Sequence, residues 1–277
     1  MVFYQRLELK QGSARGQLFL TIRMGYDIKQ VKKMDKQTTY LSGLEYPGRF
    51  IIAGQFKEGD EVCLVYGLTG RSPASQARHL VKKENGIWVE PTDPQVILTG
   101  KPELLIYPAI MYSAAGLVVS NGKHTTDIMG QLEAVRQPLL ALARALKDWK
   151  YEPDDPIFTP RISLAFGGGF NLAMSVIRRG EYGSVIRNYF ELPLVPGKGW
   201  LVMTYMGINV DPLPSFFGEP ISLEMSGRTA EEVAEGVFNS LAPAPGKPDF
   251  RVALAALRAS VHDGQVQEIK IINKHEG

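Results

Sequence analysis

Cysteine is almost missing from this 277-residue chain, where Cys63 stands alone. An internal disulfide is excluded, and so is any zinc site built from several thiolates. Histidine is scarce as well. His79, His124, His262 and His275 show neither HxxxH nor HxH spacing, so no metal site is expected. Net charge is small, with 31 Lys and Arg against 29 Asp and Glu; long nucleic acid needs a stronger basic footprint. No long apolar run is present. The most apolar stretch, residues 104–119, is interrupted by Pro108 and reads as two strands rather than a membrane span. The opening MVFYQRLELK puts Arg6, Glu8 and Lys10 where a secretory leader would be apolar. A cytoplasmic protein with neither membrane nor nucleic-acid partners is therefore expected. Internal repeats, a GxxxxGK phosphate loop, a GxSxG elbow and a GxGxxG dinucleotide loop are also missing.

What is present is an ordinary globular composition, 44% hydrophobic and 22% charged, in a chain long enough to bury its own core. Residues 1–46 read as an extension. Phe3, Leu7 and Leu9 against Leu18, Leu20 and Ile22 flank a turn-rich stretch and predict a β-hairpin. Lys29, Lys32, Lys33 and Lys36 follow in a solvated connector. From Pro47 the chain is dense in strand-like runs: RFIIAGQF, EVCLVYGLTG, IWVE, QVILTG, ELLIYPAIMY, GLVVSNG, RISLAF, FNLAMSVIR, YGSVIRNYF and WLVMTYM. Several are apolar throughout, which predicts sheets covered on both faces.

Helices are fewer. Ile128, Leu132, Val135, Leu139, Leu142, Leu146 and Trp149 step by three and four, predicting a helix from Thr126 or Asp127 towards Lys150 that Pro138 kinks or splits. Thr229 with Glu232 forms a capping box for a second, with Val233, Val237 and Leu241 on its buried face. A third is predicted from Asp249 through Leu257. Many strands with a few helices indicate an α+β or α/β layered fold.

Four polar clusters interrupt the apolar sequence at element ends. Residues 69–78 hold Arg71, Ser72, Ser75 and Arg78, a set able to bind a phosphate or to form an ordinary polar loop. Residues 120–127 combine an Asn121-Gly122 turn and an N-cap from Thr or Asp with Lys123 and His124 at a helix start, where an anion is favoured. Residues 151–161 carry Glu152, Asp154, Asp155, Thr159 and Arg161 among three prolines. That stiff loop could hold a catalytic carboxylate in place or be a solvated crossover. Gly167, Gly168 and Gly169 read as a tight hairpin turn. Cys63, inside an apolar strand with no neighbouring His, reads as a core residue.

Taken in order, PGRFIIAG, VYGLTGRSPASQAR, YPAIMY, VVSNGKHTTDI and YEPDDPIFTPRIS resemble the archaeal-type IMP cyclohydrolase family over about residues 47–245. The resemblance implies a four-layer αββα sandwich like that of N-terminal-nucleophile hydrolases, in a domain spanning residues 47–277. Neither Met1-Val2 nor Pro47-Gly48-Arg49 offers a nucleophile, so amide hydrolysis by that fold's usual route is not expected. The implied activity is dehydrative closure of 5-formamidoimidazole-4-carboxamide ribonucleotide (FAICAR) to IMP. Both reacting groups belong to one molecule, so no cofactor and no covalent nucleophile are needed.

By the same resemblance Arg78, Tyr112 and Glu152 are the catalytic residues, while Arg71, Ser72, Asn121, His124, Thr125, Asp155, Thr159 and Arg161 bind substrate. Glu152 would relay a proton, Tyr112 would bond the amide or formyl oxygen, and Arg78 would stabilise negative charge. The arginine-bearing loop is about two residues longer than the family pattern, which leaves Arg71 as the alternative to Arg78. The partner implied is a purine ribonucleotide, and the apolar strands favour self-association. A non-catalytic purine-nucleotide-binding paralogue is the competing reading, and an amidohydrolase activated by internal processing is a third.

Overall fold

The computed structural model describes residues 37–93, 106–169 and 171–275. The expected N-terminal hairpin, the lysine-rich connector and the QVILTG strand lie outside them. Among the described residues the strands form two antiparallel sheets. One runs in the order β11 (Ile221–Glu224), β10 (Lys198–Met203), β1 (Arg49–Gln55), β2 (Glu61–Thr69), β12 (Arg251–Ser260), β13 (Val266–Asn273). The other runs β3 (Arg78–Lys83), β4 (Gly86–Pro91), β5 (Tyr107–Ser113), β6 (Gly116–Ser120), β7 (Arg161–Phe166), β8 (Asn171–Arg179), β9 (Val185–Pro193).

The uniformly apolar runs are explained by burial on both faces. Every residue of β1, β6 and β7 is buried. Phe50, Ile52 and Leu64 of the first sheet share one core with Ile110, Val119 and Leu164 of the second. Cys63 is fully buried within it, as its apolar neighbours predict. At one edge the Asn273 side-chain amide accepts from the Leu80 N–H at 2.8 Å and donates to the Leu80 carbonyl at 3.0 Å. It thereby ties β13 to β3 across the two sheets.

Helices pack against both sheets. The predicted long helix is two: α3 (His124–Val135) and α4 (Pro138–Ala145). Arg136 turns left-handed at φ 55 and Gln137 is extended. Pro138 then opens the second helix at its first position, where a missing N–H costs nothing. Ile128, Leu132 and Leu142 pack on Val118, Ala165 and Ala173 in a second core. The helix starts at His124, earlier than the Thr126 or Asp127 expected, and Lys123 stands at its N-cap without a side-chain bond. A further helix, α5 (Ala230–Ser240), is capped by Thr229, whose hydroxyl accepts from Glu232 N at 3.1 Å. It packs on β12 and β13. Short helical turns α1 (Gln37–Leu41) and α2 (Pro73–Gln76) complete the set, and Leu41 is fully buried in the main core.

The helix predicted from Asp249 through Leu257 is instead strand β12, paired with β2 on one side and β13 on the other. Its alanines and leucines suit a helix locally. Burial between two strands overrides that weak preference. The Gly168 and Gly169 turn between β7 and β8 has φ of 81 and 74, as a hairpin of that tightness requires. Among the described residues no helix is long and apolar enough to cross a membrane.

Candidate active site

The antiparallel registers bring one end of each sheet to the same place. The starts of β1, β3, β5 and β7 meet the ends of β2, β6 and β10, and three of the four clusters fall there, the glycine turn lying at the far end of β7. Glu152 lies at the centre, 2% exposed. Its Oε2 and Oε1 accept from Arg49 Nη2 at 3.0 and 3.2 Å, and Oε1 also accepts from Asn121 Nδ2 at 3.2 Å. Arg161 Nη1 stands 3.9 Å from Oε1. Burial pushes the carboxyl above its usual proton affinity; Arg49 and Arg161 pull it back without cancelling the effect.

Asn121 is held as well as holding. Its amide donates to the Pro160 carbonyl at 2.9 Å, and its oxygen accepts from Ile162 N at 2.8 Å. The loop after β6 is thus fastened to the start of β7. Arg161 donates to the Lys150 carbonyl at 2.8 Å and lies over the Trp149 ring at 4.8 Å. His124 is fully buried, with Nδ1 3.5 Å from Arg161 Nη1. Burial, reinforced by the Arg161 charge, holds its proton affinity well below that of a free imidazole, so it is neutral and Nδ1 can accept. Gly122 makes this approach feasible, because a Cβ there would sit 2.6 Å from Arg161 Nη1.

Two phenols complete the interior. The Tyr66 and Tyr107 hydroxyls are 2.8 Å apart and both residues are buried. Burial, then Tyr107, raises the proton affinity of Tyr66. Arg78 is buried at the start of β3 and donates through Nε to the Ser75 carbonyl at 3.0 Å. Burial lowers its proton affinity, Tyr107 opposes that and Arg49 adds to it; a guanidinium stays charged under such pressure. Tyr205 hydrogen-bonds Thr159 at 2.7 Å and stacks on Tyr46 at 5.6 Å between ring centres. Burial pushes its phenol up to about 12.

Of the residues named from sequence, Arg78, Glu152, Asn121, His124, Arg161 and Thr159 gather here. Others lie elsewhere. Tyr112 sits five residues beyond Tyr107, about 16 Å along β5, and its hydroxyl donates to the Glu84 carbonyl in the β3–β4 turn at 3.3 Å. Arg71 is partly exposed, 3.3 Å from Asn209 Oδ1 and 3.8 Å from Asp211 Oδ1. The Ser72 hydroxyl caps α2 by accepting from Ser75 N at 3.2 Å. Thr125 Oγ1 donates to the Pro108 carbonyl at 2.5 Å and lies 2.7 Å from the Gly122 carbonyl, fastening the start of α3 to β5. Asp155 is exposed, whereas Asp154 binds Thr159. Arg49, Tyr66, Tyr107 and Tyr205 were missed. Arg49 and Tyr107 lie within the PGRFIIAG and YPAIMY motifs, yet in sequence they look like strand residues.

Chemically, the cluster offers a buried carboxyl primed to exchange a proton, cations to bear negative charge, and phenols to donate hydrogen bonds. A surface cavity of about 490 Å³ adjoins it, lined by Trp149, Lys150, Tyr151, Pro153, Phe158 and Arg161. Among the described residues no group of three His, Cys, Asp or Glu side chains could hold a metal ion.

Residues 46–256 match the model of the IMP cyclohydrolase-like protein family. The chain belongs to that family. The match extends past the quoted motifs and contains the whole buried cluster. An IMP cyclohydrolase of Methanothrix thermoacetophila is 31% identical over 193 residues, 70% of this chain and 85% of that protein. IMP cyclohydrolases of Methanopyrus kandleri and Methanocaldococcus jannaschii are 30% and 28% identical, over 62% and 70% of this chain and 89% and 86% of their own lengths.

Proposed function

We propose that this chain is an IMP cyclohydrolase, closing 5-formamidoimidazole-4-carboxamide ribonucleotide to IMP with loss of water, as a cytoplasmic enzyme of purine biosynthesis. Family membership and the names of its archaeal relatives support the activity. The observation that carries the mechanism is Glu152, buried yet bonded to Arg49 and Asn121.

The carboxamide nitrogen attacks the formyl carbon, a C–N bond forms, and the formyl C=O pair moves onto oxygen. Ionised Glu152 takes the proton leaving the carboxamide nitrogen and returns it to the former formyl oxygen, giving a hydroxyl. The formamido N–H then gives up its proton as its C–N bond becomes C=N, Glu152 passes that second proton to the hydroxyl, and the C–O bond breaks to release water. Arg78 and the Tyr107 hydroxyl face the developing oxyanion. Tyr107 takes the part that the resemblance gave to Tyr112, because its hydroxyl lies in the cluster beside Tyr66. Asn121, His124 and Arg161 shape the wall around the carboxylate and meet the substrate there. The steps move protons alone and call for no cofactor.

The fold reading is a four-layer αββα sandwich like that of N-terminal-nucleophile hydrolases. It is supported by the shared core between the sheets, by α3 and α4 packed on the second sheet around a separate core, and by α5 packed on the first. Residues 1–46 are read as an extension of a 47–277 domain, and the assembly as a homo-oligomer. The non-catalytic alternative is disfavoured, since Glu152 and Arg78 both occupy the cluster. Supplying the formamido ribonucleotide to purified protein and following IMP is the test: turnover establishes the activity, and binding of IMP without turnover restores the alternative.

A further inference from the structure

Glu152 owes its place to a loop whose own fastening falls on one carboxylate. Asp154 Oδ1 accepts from Thr159 N at 2.7 Å, and Oδ2 accepts from the Thr159 hydroxyl at 2.5 Å. The Thr159 carbonyl in turn accepts from Glu152 N at 2.9 Å. The Asp154 carbonyl accepts from Ile157 N at 2.9 Å and Phe158 N at 3.0 Å. Residues 152–159 are thus folded back on themselves, with Asp154 inside the turn and Glu152 at its mouth.

Proton directions along this network are fixed. An ionised carboxylate only accepts, so the Thr159 hydroxyl must donate to Asp154. Its oxygen is then left to accept from Tyr205, whose hydroxyl is 2.7 Å away. Tyr205 follows β10 in the sheet that carries Arg49, through which Glu152 is held from the other side. Loop and sheet are joined twice, once through Arg49 and once through the chain Tyr205, Thr159, Asp154.

We propose that Asp154 is a positioning residue for ring closure: through Thr159 it fixes the backbone that presents Glu152, and through Thr159 and Tyr205 it locks that loop to the sheet bearing Arg49. This rests on the reading of Glu152 as the proton carrier. The geometry has an electrostatic companion. Glu152 is faced by Arg49 from β1, Arg161 from β7 and Arg78 from β3, all lowering its proton affinity, while Asp154 on its own loop raises it. Loss of the Asp154 charge should therefore move Glu152 towards a lower pKa, an effect that loosened packing alone does not produce.

The test measures kcat, KM and the pH profile of ring closure for wild type, Asp154→Asn, Thr159→Val, Thr159→Ser and Glu152→Gln, each checked by thermal melting. Asp154→Asn is expected to lose about 10- to 100-fold in kcat with KM changed less than about threefold, as misplaced acid–base groups do. Its acidic limb should move to lower pH. Thr159→Val should be slowed with its limb in place, and Thr159→Ser should recover most of that loss. Wild-type kcat and an unmoved limb in Asp154→Asn, while Glu152→Gln is inactive, overturn the positioning role alone. Full activity in Glu152→Gln overturns the reading of Glu152, and this role with it. If Asp154→Asn does not fold, the two Thr159 variants decide: equal rates in Val and Ser contradict the proposal.

Discussion

Arg49 grips Glu152 through a single nitrogen, Nη2, which reaches one carboxylate oxygen at 3.0 Å and the other at 3.2 Å. The two residues are 103 positions apart in sequence, and both are buried. Burial works against the Arg49 charge, and Glu152 together with Tyr107, Tyr205 and Tyr66 outweighs that to hold it as a cation. Removing either partner strands a buried charge.

Arg49→Gln should therefore slow ring closure and also shift its pH dependence. Arg49 is the largest influence lowering the proton affinity of Glu152. Without it the carboxyl binds its proton more tightly, and the acidic limb of kcat/KM moves to higher pH. That is opposite in sign to the shift expected for Asp154→Asn. Profiles of the two variants beside wild type check both signs together.

Tyr107→Phe and Tyr112→Phe separate two phenols of one strand. Loss of the Tyr107 hydroxyl should lower kcat by about 100-fold, the scale of removing one donor to a developing oxyanion. Among the described residues the Tyr112 hydroxyl meets a turn carbonyl, so its loss should change kcat less than about twofold, surface changes of that kind being small. Steady-state kinetics of the two purified variants distinguish the positions.

Arg78→Gln and Arg71→Gln pose the same question for the arginines. Arg78 is buried beside the phenols, whereas Arg71 lies over the Tyr46 ring at 5.5 Å and pairs with Asp211. The Arg78 variant should lose about 100-fold or more in kcat/KM. The Arg71 variant should lose less than about tenfold, carried mainly by KM. A larger loss at Arg71 would reverse the assignment.

His124 supplies a test on stability. Its proton affinity is depressed in the folded chain by burial and by Arg161, so the unfolded chain binds the extra proton first. Below about pH 6.5, the ordinary imidazole value, protonation favours unfolding; above it the group exerts no such pull. His124→Gln should show a shallower fall in Tm between pH 7.5 and 5.5 than wild type. Parallel slopes in thermal melts would contradict a buried neutral His124.

The parts of the site visible in sequence were polar residues in places that apolar strands do not explain. Glu152, Asn121, His124 and Arg161 stood out for that reason, and Pro138 marked the break between two helices. Arg49, Tyr66, Tyr107 and Tyr205 did not stand out. Each belongs to or adjoins a strand, and its role depends on which strand ends the sheet order brings together. Asp154 and Asp155 are chemically alike and adjacent, and only the turn back to Thr159 separates their roles. The RVALAALRAS segment was misread because alanine and leucine favour helices locally, while β2 and β13 on either side make it a central strand.

The most direct measurement compares wild type with Glu152→Gln, following IMP formation from the formamido ribonucleotide and, separately, binding of IMP by calorimetry. The expected result is a loss of about 1000-fold or more in turnover, within the range for a general acid–base group, with IMP affinity held within about tenfold. Turnover in Glu152→Gln within tenfold of wild type would contradict the account and move the proton-carrying role to another member of the cluster.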